Sequence, residues 1–113
     1  MINTWIEIKD DNQLEDIIET SKEKHTVIFK HSTSCGISAH ALYKLKSNWE
    51  NIDNKVKFYY LDLLQYRNIS NKISEKFNVT HQSPQIIILK DEKVISHFSH
   101  QVISVNKILK EIA

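Results

Sequence analysis

A single cysteine, Cys35, is the residue of this 113-residue chain best suited to covalent chemistry. It follows the polar run Ser32-Thr33-Ser34 and precedes Gly36-Ile37-Ser38. A structural cysteine usually packs among apolar residues as a small hydrophobic side chain. The polar surroundings of Cys35 instead favour a reactive thiol, because the thiolate form of cysteine is the nucleophile in thiol–disulfide exchange.

The segments around Cys35 are predicted to place it where a strand gives way to a helix. Thr26–His31 is rich in β-branched and aromatic residues, which predicts a buried strand. Apolar residues then recur every four positions and predict a helix over about 35–50; they are Ile37, Ala41, Leu45 and Trp49. The unpaired backbone N–H groups and the dipole at a helix start both stabilise a thiolate there.

The rest of the chain alternates between strand and helix patterns. Further strands are predicted at residues 5–8, 56–61, 85–89 and 94–98, and further helices over about 13–24, 69–77 and 105–112. The order β-α-β-α-β-α-β-β-α predicts an α/β fold in which a mixed central sheet has helices on both faces. At this length we expect one domain, residues 1–113.

Composition argues against several classes of function. Fifteen basic and fourteen acidic residues give a formal charge of +1, which does not suit a nucleic-acid partner. No apolar run approaches the roughly 20 residues of a membrane-spanning helix, so we expect no membrane partner, and the N-terminus lacks the pattern of an export signal. We therefore expect a cytoplasmic protein, a compartment in which a lone thiol stays reduced.

Four features, in chain order, resemble the thioredoxin superfamily. They are the strand leading to Cys35, the motif Cys35-Gly36-Ile37-Ser38, the Ser83-Pro84 step before a strand, and the final hairpin and helix. The resemblance implies a thioredoxin-like fold with a cis peptide bond at Pro84, whose preceding backbone lies beside the thiol. With Cys35 as the nucleophile, the predicted substrate-binding residues are Ser34, Gly36, Ile37, Ser38, Ser83 and Pro84.

Two longer segments are similar to the monothiol bacilliredoxins of low-GC Gram-positive bacteria. They are Phe29-Lys30-His31-Ser32-Thr33-Ser34-Cys35-Gly36-Ile37-Ser38 and His81-Gln82-Ser83-Pro84-Gln85. Many members of that family carry proline where this chain has Gly36. Ser38 stands where dithiol relatives have a second cysteine, so a mixed disulfide on Cys35 needs an outside thiol to resolve it.

This second resemblance implies a reaction and its partners. Cys35 would take bacillithiol from mixed disulfides on client proteins, with bacillithiol as the co-substrate thiol and with no bound cofactor. Two other functions stay open. The motif differs by one residue from the Cys-Gly-Phe-Ser of monothiol glutaredoxins, which carry a [2Fe-2S] cluster, but Gly36 is the only glycine and that family's Gly-Gly pair is missing. The second open function is that of a thioredoxin-like interaction domain that has no catalytic activity.

The histidines and the lone arginine are weaker candidates for a role in the site. No pair of histidines has the spacing of a helical metal site, so we expect no metal. His31 and His81 could approach the thiol, although a solvated position at a strand end explains each more simply. Arg67 falls in a polar loop, where it is either solvated or paired with the malate-derived anionic part of bacillithiol.

Five aromatic residues are predicted to have structural or surface positions only. Trp5 and Trp49 are expected to pack in the core or at its margin. Three histidines are expected at the surface; they are His25, His97 and His100.

Overall fold

The computed structural model describes residues 2–113, which form five strands, four α-helices and two short 3₁₀ helices. The strands are β1 Trp5–Glu7, β2 Thr26–His31, β3 Lys57–Asp62, β4 Gln85–Lys90 and β5 Lys93–Ser99. The α-helices are α1 Gln13–Thr20, α2 Gly36–Ser47, α3 Arg67–Phe77 and α4 Val105–Ile112, and the 3₁₀ helices are Trp49–Asn51 and His100–Val102. Within the described residues, no helix has the length and apolar character that crossing a membrane requires.

The strands form one mixed sheet in the order β1-β3-β2-β4-β5. Strands β1, β2 and β3 are parallel, whereas β4 runs antiparallel to both β2 and β5. The carboxyl ends of β2 and β3 therefore lie at the same end of the sheet as the start of β4. This end, called here the active end, carries the segments that contain Cys35 and Pro84.

Helices cover both faces of the sheet. Helices α2 and α4 bury one core on the first face, and α1 and α3 bury a second core on the opposite face. Successive side chains of a strand point to opposite faces, so Phe29 of β2 enters the first core and Ile28 enters the second. The predicted α/β class, with a mixed sheet between helices, is confirmed.

Trp5 and Trp49 pack together in the first core, as predicted. Their ring centroids lie 5.2 Å apart with the planes at 82°, an edge-to-face arrangement that aromatic pairs favour. The indole N–H of Trp49 donates to Asp53 Oδ1 at 2.7 Å.

Three helices have boundaries that differ from the predictions. Helix α2 ends at Ser47, before the predicted end near residue 50, and the separate 3₁₀ helix Trp49–Asn51 follows it. Helix α1 ends at Thr20, earlier than the spacing suggested, because Ser21 hydrogen-bonds with both Ile18 O (2.6 Å) and Glu92 N (2.9 Å) and ties the chain to the β4–β5 turn. Helix α3 already begins at Arg67, so this arginine is the first helical residue and does not lie in a loop as predicted.

Candidate active site

Cys35 is the N-cap residue of α2, with extended backbone angles of φ −110° and ψ 125°. Residues 32–34 connect it to β2, and the connection is closed by a hydrogen bond from Cys35 N to Ser32 O at 3.2 Å. The carbonyl of Cys35 accepts from Ala39 N at 3.0 Å. The thiol is half-buried and does not cap the helix N–H groups. It therefore stands at the helix start and is partly accessible.

Ser38 lies one helical turn after Cys35 and is fully buried. Its hydroxyl accepts from Ser32 N–H at 3.0 Å and lies 2.6 Å from His31 Nδ1. These hydrogen bonds join the start of α2 to the end of β2. They therefore hold residues 32–34, which connect β2 to Cys35. The expected contact of Ser38 with substrate does not fit this burial, because its hydroxyl is taken up inside the protein.

His31 is buried, with only 3% of its surface exposed, so the expectation of a solvated histidine was wrong. As the last residue of β2 it faces the first core, where its ring centroid lies 5.6 Å from those of both Phe29 and Tyr60. Burial lowers the pKa of His31, although the charge of Asp62 opposes the shift. The neutral imidazole is therefore favoured next to Ser38.

The Ser83–Pro84 peptide bond is cis, as the resemblance implied. Pro84 is buried, and its carbonyl accepts from His100 N at 3.0 Å. The buried side chain of Gln85 fastens the preceding segment, because its Oε1 accepts from Gln82 N (3.4 Å) and its Nε2 donates to Thr80 O (3.0 Å). Two sets of hydrogen bonds thus hold the turn before β4.

The structure brings most of the predicted site residues to the active end. Lys30 pairs with Gln85 across the sheet, so Pro84 lies at the end of β2, where the chain leaves for Cys35. Three of the predicted residues are exposed beside the thiol; they are Ser34, Gly36 and Ile37. Apart from the adjacent residues and the helix's own backbone, nothing lies within 4 Å of the position that a Cβ on Gly36 would take. The Ser83 hydroxyl is buried and has no hydrogen-bond partner among the described residues.

Lys30 is a residue of this region that the sequence analysis did not single out. It is fully buried on β2, and its Nζ donates to Ser70 O at 3.1 Å and to Ser74 Oγ at 3.0 Å. Burial lowers the pKa of Lys30 to about 8. The one available signal was a lysine inside a strand that otherwise has the pattern of a buried segment.

His81 is half-buried in the segment before Pro84, where a solvated histidine was expected. Its Nδ1 lies 3.4 Å from both Lys30 Nζ and Ser70 Oγ. Burial lowers the pKa of His81, and the charges of Lys30 and Arg67 act in the same direction. Arg67 itself is exposed.

Among residues 2–113, the imidazole rings of the remaining histidines form no hydrogen bond with the site residues, and His100 contributes only its backbone N–H to Pro84. His97 is exposed, as predicted, whereas His25 and His100 are half-buried. Within residues 2–113 there is no group of three or more His, Cys, Asp or Glu side chains that could hold a metal ion.

Comparison with known proteins identifies related sequences and folds. The family model described as "Monothiol bacilliredoxin BrxC" matches residues 6–108. A solved structure described as a candidate oxidoreductase with a thioredoxin fold is 28% identical, with a TM-score of 0.83 over 97% of this chain and 95% of that chain.

Two thioredoxins show the same fold at lower identity. The Fasciola hepatica thioredoxin is 22% identical, with a TM-score of 0.72 over 95% of both chains. The Malassezia sympodialis thioredoxin is 18% identical, with a TM-score of 0.72 over 95% of this chain and 87% of that chain.

Proposed function

The chain belongs to the monothiol bacilliredoxin family, and from this membership we propose that Cys35 removes bacillithiol from mixed disulfides on client proteins. The family and the thioredoxin fold together support a thiol oxidoreductase. The observation that carries the proposal is the position of Cys35, a half-buried thiol at the N-terminus of α2. A disulfide that approaches the start of the helix can reach a thiol at such a position.

The proposed reaction has two exchange steps. First, the Cys35 thiolate attacks the bacillithiol sulfur of the mixed disulfide, and a new S–S bond forms as the client–bacillithiol bond breaks. The client leaves as a thiolate and takes up a proton. Second, the thiolate of another bacillithiol molecule attacks the bacillithiol sulfur on Cys35, which releases Cys35 and forms bacillithiol disulfide. The disulfide bond is passed on in each step, so no further oxidant or reductant is needed.

The second step needs an outside thiol because the chain contains no other cysteine. The mixed disulfide on Cys35 is therefore the working intermediate. We propose that Ser34, Gly36 and Ile37 contact the substrate on one side of the thiol, with the Ser83–Pro84 segment on the other. A cytoplasmic location suits the proposal, since the only thiol must stay reduced between cycles.

Mass spectrometry tests the proposal directly. The protein is incubated with a model client peptide that carries bacillithiol on its one cysteine, and the intact masses of peptide and protein are measured. We expect the peptide to lose bacillithiol and the protein to gain it on Cys35, while Cys35→Ala gains nothing. If the peptide keeps its bacillithiol in the presence of the wild-type protein, the proposal is wrong.

A further inference from the structure

Three basic side chains near the active end have no acidic partner. Lys30, Arg67 and His81, called here the basic cluster, take part in none of the ion pairs found among residues 2–113. The first turn of α3, which begins with Arg67, also contains no acidic residue. A buried ammonium without a counter-charge is costly, so an anionic ligand beside the basic cluster would be favoured electrostatically.

The contacts of Lys30 determine the state of His81. A lysine ammonium has three N–H donors and no acceptor. Here the three available acceptors are Ser70 O (3.1 Å), Ser74 Oγ (3.0 Å) and His81 Nδ1 (3.4 Å). Nδ1 of His81 must therefore accept, which leaves the imidazole neutral with its proton on Nε2. The Nε2–H group is then a donor on the side of the ring away from Lys30.

Arg67 lies on the same side of α3 as these contacts. Arg67, Ser70 and Ser74 follow one another at spacings of three and four residues, so they share one helix face. Ser70 Oγ lies 3.4 Å from His81 Nδ1, and Arg67 is one turn closer to the start of the helix. The guanidinium is exposed and available to a ligand.

The start of α3 and the segment that contains His81 both lie at the active end. Leu63 N donates to His31 O at 2.8 Å, which places the β3–α3 connection beside the end of β2. The pairing of Lys30 with Gln85 brings the segment that contains His81 to the same place. Cys35 lies at the start of α2 on the first face and Arg67 at the start of α3 on the opposite face, so a small molecule attached through its sulfur to Cys35 would extend across the active end to reach Arg67.

We propose that Arg67 and the Nε2–H of His81 bind a carboxylate of the small thiol, and that Lys30 is the positioning residue that holds His81 for this contact. The inference rests on the proposed function and names the part of bacillithiol, its malate-derived anionic portion, that the protein recognises. A guanidinium and an imidazole N–H together supply the charge and the directed donors that a carboxylate takes.

Kinetics on two matched substrates test the ligand. One model peptide without acidic residues is loaded either with bacillithiol or with 2-mercaptoethanol, which has no carboxylate. Hydrogen bonds to charged groups are worth about 1.5–3 kcal/mol, so Arg67→Gln should lower kcat/KM for the bacillithiol peptide on the order of tenfold or more, through KM. The 2-mercaptoethanol peptide should react at an unchanged rate. Lys110→Gln, on the opposite face of the sheet, is the control for loss of one positive charge.

The outcomes separate this inference from the proposed function. If the wild-type protein does not remove bacillithiol, both the proposed function and this inference are wrong. If the wild-type protein removes bacillithiol but Arg67→Gln does so equally well, only the inference is overturned. An equal loss on both peptides would also overturn it, because the contact would then be with the client.

Nitrogen-detected NMR tests the role of Lys30. In the wild-type protein we expect His81 to carry its proton on Nε2, and we expect Lys30→Met to raise the pKa of His81 because a neighbouring positive charge is removed. An unchanged His81 titration in the folded Lys30→Met variant would overturn the role given to Lys30. A wild-type His81 protonated on Nδ1 contradicts the proposed contact.

Discussion

Ser38 occupies the position of the second active-site cysteine in dithiol relatives, but its side chain forms hydrogen bonds inside the protein. Its hydroxyl joins the backbone of Ser32 to the ring of His31, both at the end of β2. The monothiol character of the site and the rigidity of its connection thus depend on the same side chain.

The variant Ser38→Cys should separate these two roles. Residues at the N-cap and one turn into a helix are close enough for a disulfide, so we expect the oxidised variant to form an internal bond between positions 35 and 38. The reduced variant should be less stable by about 1–3 kcal/mol, because Ser32 N–H and His31 lose a strong partner. Intact mass reports the bond, and urea denaturation reports the stability.

Ser47→Cys is the matched control, since Ser47 is exposed at the other end of α2. It should form no internal disulfide with Cys35. If the Ser38→Cys protein still has two free thiols after treatment with an oxidant, the side chains at positions 35 and 38 point apart.

At the scale of the elements, the site depends on how β4 begins. Gln85 is the first residue of β4, and its side-chain amide holds the backbone of Thr80 and Gln82. The turn that contains Pro84 therefore takes its shape from a side chain in the strand that follows it.

Gln85→Leu keeps much of the side-chain volume but removes both hydrogen bonds. We expect a loss of about 1–3 kcal/mol in the free energy of unfolding, because two part-buried hydrogen bonds are lost and each contributes about 0.5–1.5 kcal/mol. The exchange rate of Cys35 with a mixed disulfide should also fall, since Pro84 lines the same site. Urea denaturation and stopped-flow kinetics measure the two effects.

Gln82→Leu, an exposed glutamine in the same segment, provides the comparison and should change the free energy of unfolding by less than about 0.5 kcal/mol. Equal stability losses in the two variants would mean that the buried amide has no special part in holding the turn.

At the scale of the whole molecule, buried histidines couple stability to pH. Burial lowers the pKa of His25, His31 and His81 below the ordinary value of 6.5. As the pH falls below about 6.5, these histidines become protonated in the unfolded chain while they stay neutral in the folded protein. Folding therefore becomes less favourable. We therefore expect a lower urea midpoint at pH 5.5 than at pH 7.5.

Single substitutions show which histidines are responsible. His81→Gln should reduce the difference between the two pH values, whereas the exposed His97→Gln serves as the comparison and should leave it as in the wild type. A wild-type midpoint that is the same at both pH values would contradict the assignment of neutral buried rings.

The order of the elements and the positions of Cys35 and Pro84 were predictable because they rest on local patterns. Strand alternation and helical spacing are local, and Cys35 and Pro84 are each the only residue of their type. The side-chain partners of Lys30 and His31 were not predictable, since they depend on which helices cover β2. The partners of Lys30, Ser70 and Ser74, lie more than a third of the chain away and join it only through the fold.

The open space around Gly36 allows substitutions at this position. Gly36 is the first residue of α2, where a backbone N–H has no helical partner and where proline is well tolerated. Because a Cβ there would meet only the adjacent residues and the helix's own backbone within 4 Å, the protein can accept other residues next to Cys35 without repacking. A substitution at position 36 would thus change the surface beside Cys35 while the core stays as it is.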